Sequence, residues 1–365
     1  MVRSRTEAAP CRVCIDNQRS VLAERDIVVI GASAGGVEAV ATIVEALPRD
    51  LAAAVFVVVH FPPHATSVLP RILTRRGGMT AVHPEDGDAM EVGCVYVAPP
   101  DRHLLVERDH VRLVRGPREN AARPAVDPLF RSAARAYGTR VIGVILTGNL
   151  DDGTSGLLAI KSAGGVAVVQ DPDDALYAGM PTSAVRHVAV DHVVPLSEIA
   201  PLLTRLVGQP VEEKGPGPVA RQQSNEVPIS EMDPRALEGD RNGAPSGYAC
   251  PECHGVLWEV SEGEVLRFRC RVGHAYSIET LLAEQGSGMD AALWAAYRAL
   301  EERAALTERM SGRMLDRGQP SLATRYAEQT AETRARAELI RRVLMMGRED
   351  VPVVEGGPRE RNVSD

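Results

Sequence analysis

Residues 27–46 read IVVIGASAGGVEAVATIVEA. Four consecutive apolar residues, Ile27 to Ile30, suit a strand that is covered on both faces. From Val37 to Ala46 the apolar residues return at helical spacing. Between them, Gly31-Ala32-Ser33-Ala34-Gly35-Gly36 offers only small side chains, which permit a tight turn from strand to helix. Unpaired N–H groups at the start of that helix suit a developing negative charge. In a parallel sheet, ligands gather at the carboxyl ends of strands, and that is where this turn places Ser33.

The same texture continues outward. Further strands are expected at Ala54–His60, Cys94–Ala98, Val141–Thr147 and Gly165–Gln170, with helices at Val37–Ala46, Ser67–Arg75, Val126–Ala136 and Gly156–Ala163. This alternation predicts a doubly wound α/β fold with a mainly parallel sheet. His103–Glu107 and His110–Val114 flank Arg108-Asp109 and read as an inserted hairpin. The expected organisation is a leader over 1–25, an α/β domain over 26–206, a Pro/Gly-rich linker over 207–246, a small module over 247–285, a helical hairpin over 286–348 and a polar tail over 349–365.

The Gly-rich turn admits two chemistries. A dinucleotide fingerprint would want glycine where Ser33 stands and a carboxylate at the end of the second strand. That strand, Val55-Phe56-Val57-Val58-Val59-His60, ends in histidine, which can take a proton from a serine. A third strand runs through Leu146-Thr147-Gly148-Asn149-Leu150-Asp151-Asp152-Gly153, where an acid can orient an imidazole. Ser33, His60 and Asp152 therefore stand at strand ends that share one rim. Each has a plainer alternative: a helix cap for Ser33 and Asp152, a satisfied core side chain for His60.

These segments resemble the protein-glutamate methylesterases of bacterial chemotaxis, the CheB family. The resemblance rests on GASAGG at 31–36, His60-Phe61-Pro62-Pro63, Tyr96-Val97-Ala98-Pro99, Arg123-Pro124-Ala125-Val126-Asp127, LTGNLDDG at 146–153 and Gly179-Met180-Pro181, in the family's order. It implies a Rossmann-like methylesterase domain with a catalytic triad on Ser33, His60 and Asp152. Backbone N–H groups near Ala34 and Asn149 would stabilise the oxyanion, and no catalytic cofactor is expected. The implied substrates are glutamyl methyl esters on chemoreceptor cytoplasmic domains or a similar methylated signalling protein, with glutamine deamidation as a related activity. Two departures stand out. About 25 residues precede the first strand, too few for the receiver domain of well-known relatives, and Ala34 stands where many relatives carry threonine. A catalytically idle docking scaffold is the competing reading.

Near the C-terminus, Cys250-Pro251-Glu252-Cys253 and Cys270-Arg271-Val272-Gly273-His274 give CxxC and CxxxH, sixteen residues apart. Val256–Val260 and Val265–Arg269 between them read as two strands. Two knuckles joined by a hairpin can place Cys250, Cys253, Cys270 and His274 around a structural Zn²⁺; His254 ranks behind His274. This makes the segment zinc-ribbon-like, with metal supplying folding free energy that so short a piece lacks. Helices at Asp290–Leu315 and Pro320–Met346 would form a hairpin, a candidate surface for homo-oligomerisation or docking. The Cys11/Cys14 pair is too isolated to read as a site.

Composition closes off other classes. The formal net charge is -8 and aromatics are 4% of the 365 residues, which argues against nucleic-acid binding. No apolar run is long enough to span a bilayer and the first residues lack a secretory core, so membrane insertion is not expected and a cytoplasmic location is.

Overall fold

Strands whose side chains are apolar on both faces form the core of the α/β domain. A computed structural model describes residues 23–212, 227–231, 243–262 and 265–346. The Cys11/Cys14 pair, most of the expected linker and the expected tail lie outside the described residues. The chain divides into two compact units, at Thr280/Leu281.

In the first unit the strands are β1 (Ala23–Glu24), β2 (Ile27–Ala32), β3 (Ala54–Val59), β4 (Thr80–Val82), β5 (Cys94–Val97), β6 (His103–Val106), β7 (Val111–Val114), β8 (Val141–Ile145), β9 (Val166–Gln170), β10 (His192–Val194) and β11 (Pro210–Val211). Seven of them form a sheet in the order β10-β9-β8-β2-β3-β5-β4. Every neighbouring pair in it is parallel. Its helices are α1 (Gly36–Ala46), α2 (Leu69–Arg76), α3 (Val126–Tyr137), α4 (Thr154–Ser162), α5 (Gly179–His187) and α6 (Leu196–Leu206).

Alternation along β2 decides which helices cover which face. Val28 and Ile30 join a core with α1, α2 and α6 through Val40, Ile43, Leu73, Ile199 and Leu203. Ile27 and Val29 join a second core with α3, α4 and α5 through Leu129, Phe130, Leu157, Ile160 and Met180. The period-2 geometry of a strand gives both faces an apolar row. The chain leaves β2 toward β3 on one side and returns to β8 on the other, so the gap between β2 and β8 is the switch point where such sheets bind ligands.

β6 and β7 pair antiparallel, as the hairpin reading expects. In the seven-stranded sheet and the six helices, four elements escaped sequence reading. β4 and β10 are three-residue strands at the two edges. α5 and α6 contain Pro181 and Pro201. In α6 the buried Ile199, Leu202, Leu203 and Leu206 override the proline.

A four-stranded antiparallel sheet completes this unit: β12 (Pro245–Ala249), β13 (Val256–Glu262), β14 (Val265–Cys270) and β15 (Ala275–Ser277). A four-residue helix, α7 (Val227–Ser230), precedes it.

The second unit carries most of α8 (Ile278–Asp316) and all of α9 (Pro320–Met345). α8 starts at Ile278 rather than Asp290 and runs through Gly286-Ser287-Gly288, residues that locally favour a break. The hairpin is held by a small-residue seam. Ala304, Ala323 and Ala337 are buried, Thr307 and Thr330 share a hydroxyl hydrogen bond of 2.7 Å, and Ser311 donates to the Ala323 carbonyl at 2.8 Å. Among the described residues no helix is long and apolar enough to cross a membrane.

Candidate active site

Parallel register sets the site. Ala32 pairs with Val59, so the next residues, Ser33 and His60, leave the sheet side by side. Leu146 N–H donates to the Gly31 carbonyl at 2.9 Å and Ser33 N–H to the Thr147 carbonyl at 3.0 Å, which brings the loop after β8 to the same rim. Two glycines make room. Gly35 is the N-cap of α1 with φ +74°, a conformation that suits glycine. A Cβ on Gly148 would lie 2.8 Å from the Ser33 Cβ and 2.1 Å from the Met180 sulfur.

His60 Nδ1 lies 3.1 Å from Ser33 Oγ, and His60 Nε2 lies 2.7 Å from Asp152 Oδ2. A carboxylate accepts only, so the Nε2 proton donates to it and Nδ1 is left to accept from the serine hydroxyl. The plainer roles do not describe these side chains. Neither α1 nor α4 has a side-chain cap: Gly35 and Gly153 occupy the N-cap positions. The His60 side chain is 22% exposed while Asp152 is 3% exposed. The arrangement can move a proton from a reachable hydroxyl onto an imidazole steadied by a buried carboxylate.

Asp152 is heavily solvated by the protein. Oδ2 also accepts Val126 N–H at 2.6 Å, and Oδ1 accepts Asn120 Nδ2 at 3.0 Å and Asp127 N–H at 3.3 Å. Burial pushes its carboxyl up, but the hydrogen bond and charge of His60, with the Val126 and Asn120 donors, outweigh that and hold it below the usual range. The two other residues expected at this rim, Ala34 and Asn149, lie in the loops after β2 and β8, half-buried and exposed respectively. Thr147 Oγ1 ties these loops together by donating to the Ala34 carbonyl at 3.0 Å.

Sequence reasoning missed the charged layer behind Asp152. Buried Glu119 accepts Arg131 Nη2 at 2.7 and 2.6 Å and Arg267 Nη2 at 3.0 Å, with Arg269 at 3.8 Å and the Ser230 hydroxyl at 3.0 Å. Burial alone would raise its carboxyl; Arg131, Arg269 and Arg267 hold it well below the carboxylate range. Arg267 also stands 3.6 Å from Asp127. No spacing rule connects Glu119 to Arg267, since 148 positions separate them.

Two acids of this layer go the other way. Burial raises Asp151 to about 7 and Asp127 to about 6. Unfolded, both ionise near about 4. Folding is therefore favoured while they stay protonated, and that advantage fades as pH rises from about 4 to about 7. The lowered acids Asp152 and Glu119 act in the opposite sense, but their contribution is complete above about pH 5 and lost only on further acidification. The melting temperature is expected to fall by roughly 5 °C between pH 5 and pH 8. Asp151→Asn should remove much of that slope, because an amide stays neutral; an unchanged slope in thermal melts would contradict the assignment.

The four expected metal ligands converge. Ligating atoms of Cys250, Cys253, Cys270 and His274 all lie within 4.8 Å of one another. Cys253 and Cys270 sulfurs are 3.5 Å apart, and His274 Nδ1 is 3.7 Å from Cys250 Sγ and 3.6 Å from Cys270 Sγ. Tetrahedral zinc with ordinary bond lengths would set its sulfurs ~3.8 Å apart and sulfur and nitrogen ~3.6 Å apart. His274 Nε2 meets Glu252 at 3.1 Å, a carboxylate placed to orient a ligating imidazole. Without a cation, burial and the neighbouring Cys250 push the Cys270 thiol to about 12, so the cluster needs positive charge to become thiolates. The donor set fits a tetrahedral thiophilic ion. His254 belongs to the turn itself, donating its N–H to the Cys250 carbonyl at 2.9 Å with φ +58°.

The family model described as CheB methylesterase matches residues 28–203. A protein of Leptospira interrogans named a protein-glutamate methylesterase/protein-glutamine glutaminase is 40% identical over 190 residues, 52% of this chain and 98% of that protein. A protein of Anaeromyxobacter dehalogenans with the same activity name is 43% identical over 187 residues, 50% of this chain and 52% of that protein. The crystal structure of the Thermotoga maritima CheB methylesterase catalytic domain aligns with TM-score 0.48 and 36% identity, covering 50% of this chain and 98% of that one. With 98% of the Leptospira protein matched at 40% identity, the chain belongs to the CheB methylesterase family.

Proposed function

We propose that this chain is a protein-glutamate methylesterase that hydrolyses glutamyl methyl esters on the cytoplasmic domains of methylated chemoreceptors, with Ser33 as nucleophile. The observation that carries this reading is the continuous hydrogen-bonded line from Ser33 Oγ through His60 to Asp152. Ser33 Oγ attacks the ester carbonyl carbon and passes its proton to His60 Nδ1. Asp152 holds the ring and stabilises the imidazolium. The tetrahedral intermediate collapses, methoxide takes the proton from Nδ1 and leaves as methanol. Water then attacks the acyl-serine by the same proton route and frees the glutamate. Main-chain N–H groups of Ala34 and Asn149 serve the oxyanion, each such donor contributing about 3–4 kcal/mol in comparable hydrolases. A glutamine side chain follows the same path with ammonia leaving. An idle docking scaffold would have no use for a seated imidazole between a reachable hydroxyl and a buried acid.

The direct test is methanol release from methylated receptor by purified full-length protein. Release above the Ser33→Ala background supports the reading; its absence, while a relative assayed in parallel is active, refutes it.

The Cys250, Cys253, Cys270 and His274 set is read as a structural zinc site. Zinc would supply the positive charge that turns the thiols into thiolates and would tie the two knuckles together. A closed set of four protein donors leaves no open position for substrate, so the ion has no part in the ester chemistry. Cys250→Ser protein is expected to hold about one zinc fewer per chain than wild type by metal analysis. Equal zinc in both would remove the assignment.

A further inference from the structure

Asn120 links the small β-sheet to the triad acid. Its Nδ2 donates to Asp152 Oδ1 at 3.0 Å and to Asp127 Oδ2 at 3.1 Å. Its Oδ1 accepts Ser277 N–H at 3.0 Å, and its own N–H donates to the Ala275 carbonyl at 2.8 Å. These partners settle the amide's orientation: two carboxyl groups need donors on one side and an N–H needs an acceptor on the other. β15 therefore grips the residue at both main chain and side chain. The backbone of Asn120 is left-handed, φ +49°, a conformation asparagine tolerates better than most residues.

We propose that Asn120 is a positioning residue for the ester chemistry, and that the Cys/His module holds it in place through β15. The inference rests on the reading of Ser33, His60 and Asp152 as the reacting set. Asp152 Oδ2 is engaged by His60 and Val126, whereas Oδ1 has Asn120 and a longer contact of 3.3 Å to Asp127 N–H. Asn120 is thus the stronger of the two restraints on Oδ1, and rotation of the carboxylate would carry Oδ2 away from Nε2. The route back to the cluster is short. His274 precedes Ala275 in the chain, and Cys270 N–H donates to the His274 carbonyl at 2.9 Å. One residue before Asn120, Glu119 is bound by Arg267 of β14, so the module clamps two consecutive residues. Ser277 Oγ and Thr280 Oγ1 add donors to Asp151, the neighbour of Asp152, at 2.7 and 3.1 Å.

The test uses full-length wild type, Asn120→Gly, Cys250→Ser and the double variant, with p-nitrophenyl acetate as probe substrate. Glycine permits the left-handed backbone and removes the side chain with its amide. Asn120→Gly is expected to lower kcat at least tenfold with KM within twofold of wild type, while its melting curve stays cooperative. The low-field proton resonance of the His60 Nε2–H, which reports the bond to Asp152, should shift or broaden. Cys250→Ser should disturb the same resonance, and adding Asn120→Gly to it should cost little more, because both act through one contact. If Cys250→Ser does not fold, Arg269→Gln takes its place in the cycle. A wild-type kcat and resonance in Asn120→Gly would overturn the proposal and leave the esterase reading standing. Full additivity of the two changes would overturn the module's part in it. Absence of turnover in wild type would remove the triad reading itself, and this inference with it.

Discussion

Ser33→Ala protein is expected to lose all labelling by a fluorophosphonate and to lose about 10³–10⁶-fold in ester turnover. The hydroxyl stands on a turn at the end of β2, partly exposed, with its hydrogen bond directed at His60. Alanine leaves the small-residue turn intact, so the melting temperature should hold within a few degrees and the loss will be chemical. Asp152→Asn should reach a loss of about 10⁴-fold by another route. An asparagine in that place can offer an N–H to Nε2, which favours the ring form whose Nδ1 carries the proton and cannot receive one from Ser33. The two variants differ in a useful way: the asparagine variant keeps the hydroxyl and should still label slowly. Labelling that persists in Ser33→Ala would show that some other side chain is the activated one.

Glu119→Ala should destabilise the first unit by about 3–5 kcal/mol in urea melts. Side-chain exposures are 1% for Glu119, 0% for Arg131 and 2% for Arg267. Deleting the one acid at the centre leaves guanidinium groups buried without the carboxylate that compensates them. Arg267→Ala should cost a similar amount, since it removes charge from both Glu119 and Asp127. A loss below 1 kcal/mol for Glu119→Ala would mean that the guanidinium groups find water or other acids on relaxation, and that the junction between the two sheets does not depend on this acid.

How far the sequence was legible follows from the range over which each interaction acts. Ser33 and His60 directly follow β2 and β3, Asp152 lies in the loop between β8 and α4, and a parallel sheet brings the carboxyl ends of its strands and the loops after them to one rim. Their convergence was therefore readable from three short apolar runs. The Cys/His spacing was readable for a similar reason, because knuckle geometry is local. Asn120, Glu119 and Arg267 gave no such signal. Loop asparagines and charged side chains ordinarily face water, and only the docking of a distant strand turns these into buried partners. The start of α8 was missed because Gly286 and Gly288 argue locally for a break that the surrounding helix overrides. The facing of the His60 ring was equally beyond reach, since it depends on a rotation that no residue pattern encodes.

That ring orientation has a chemical consequence. Nδ1 lies next to the carbon that joins the imidazole to its own chain, so the exchange of hydrogen with the departing group takes place hard against the peptide at the end of β3. Nε2, the nitrogen remote from the chain, is already taken by Asp152, so a departing group must be met at the nitrogen nearer the backbone. Methanol and ammonia, among the smallest departing molecules available to acyl transfer, are suited to so confined a berth.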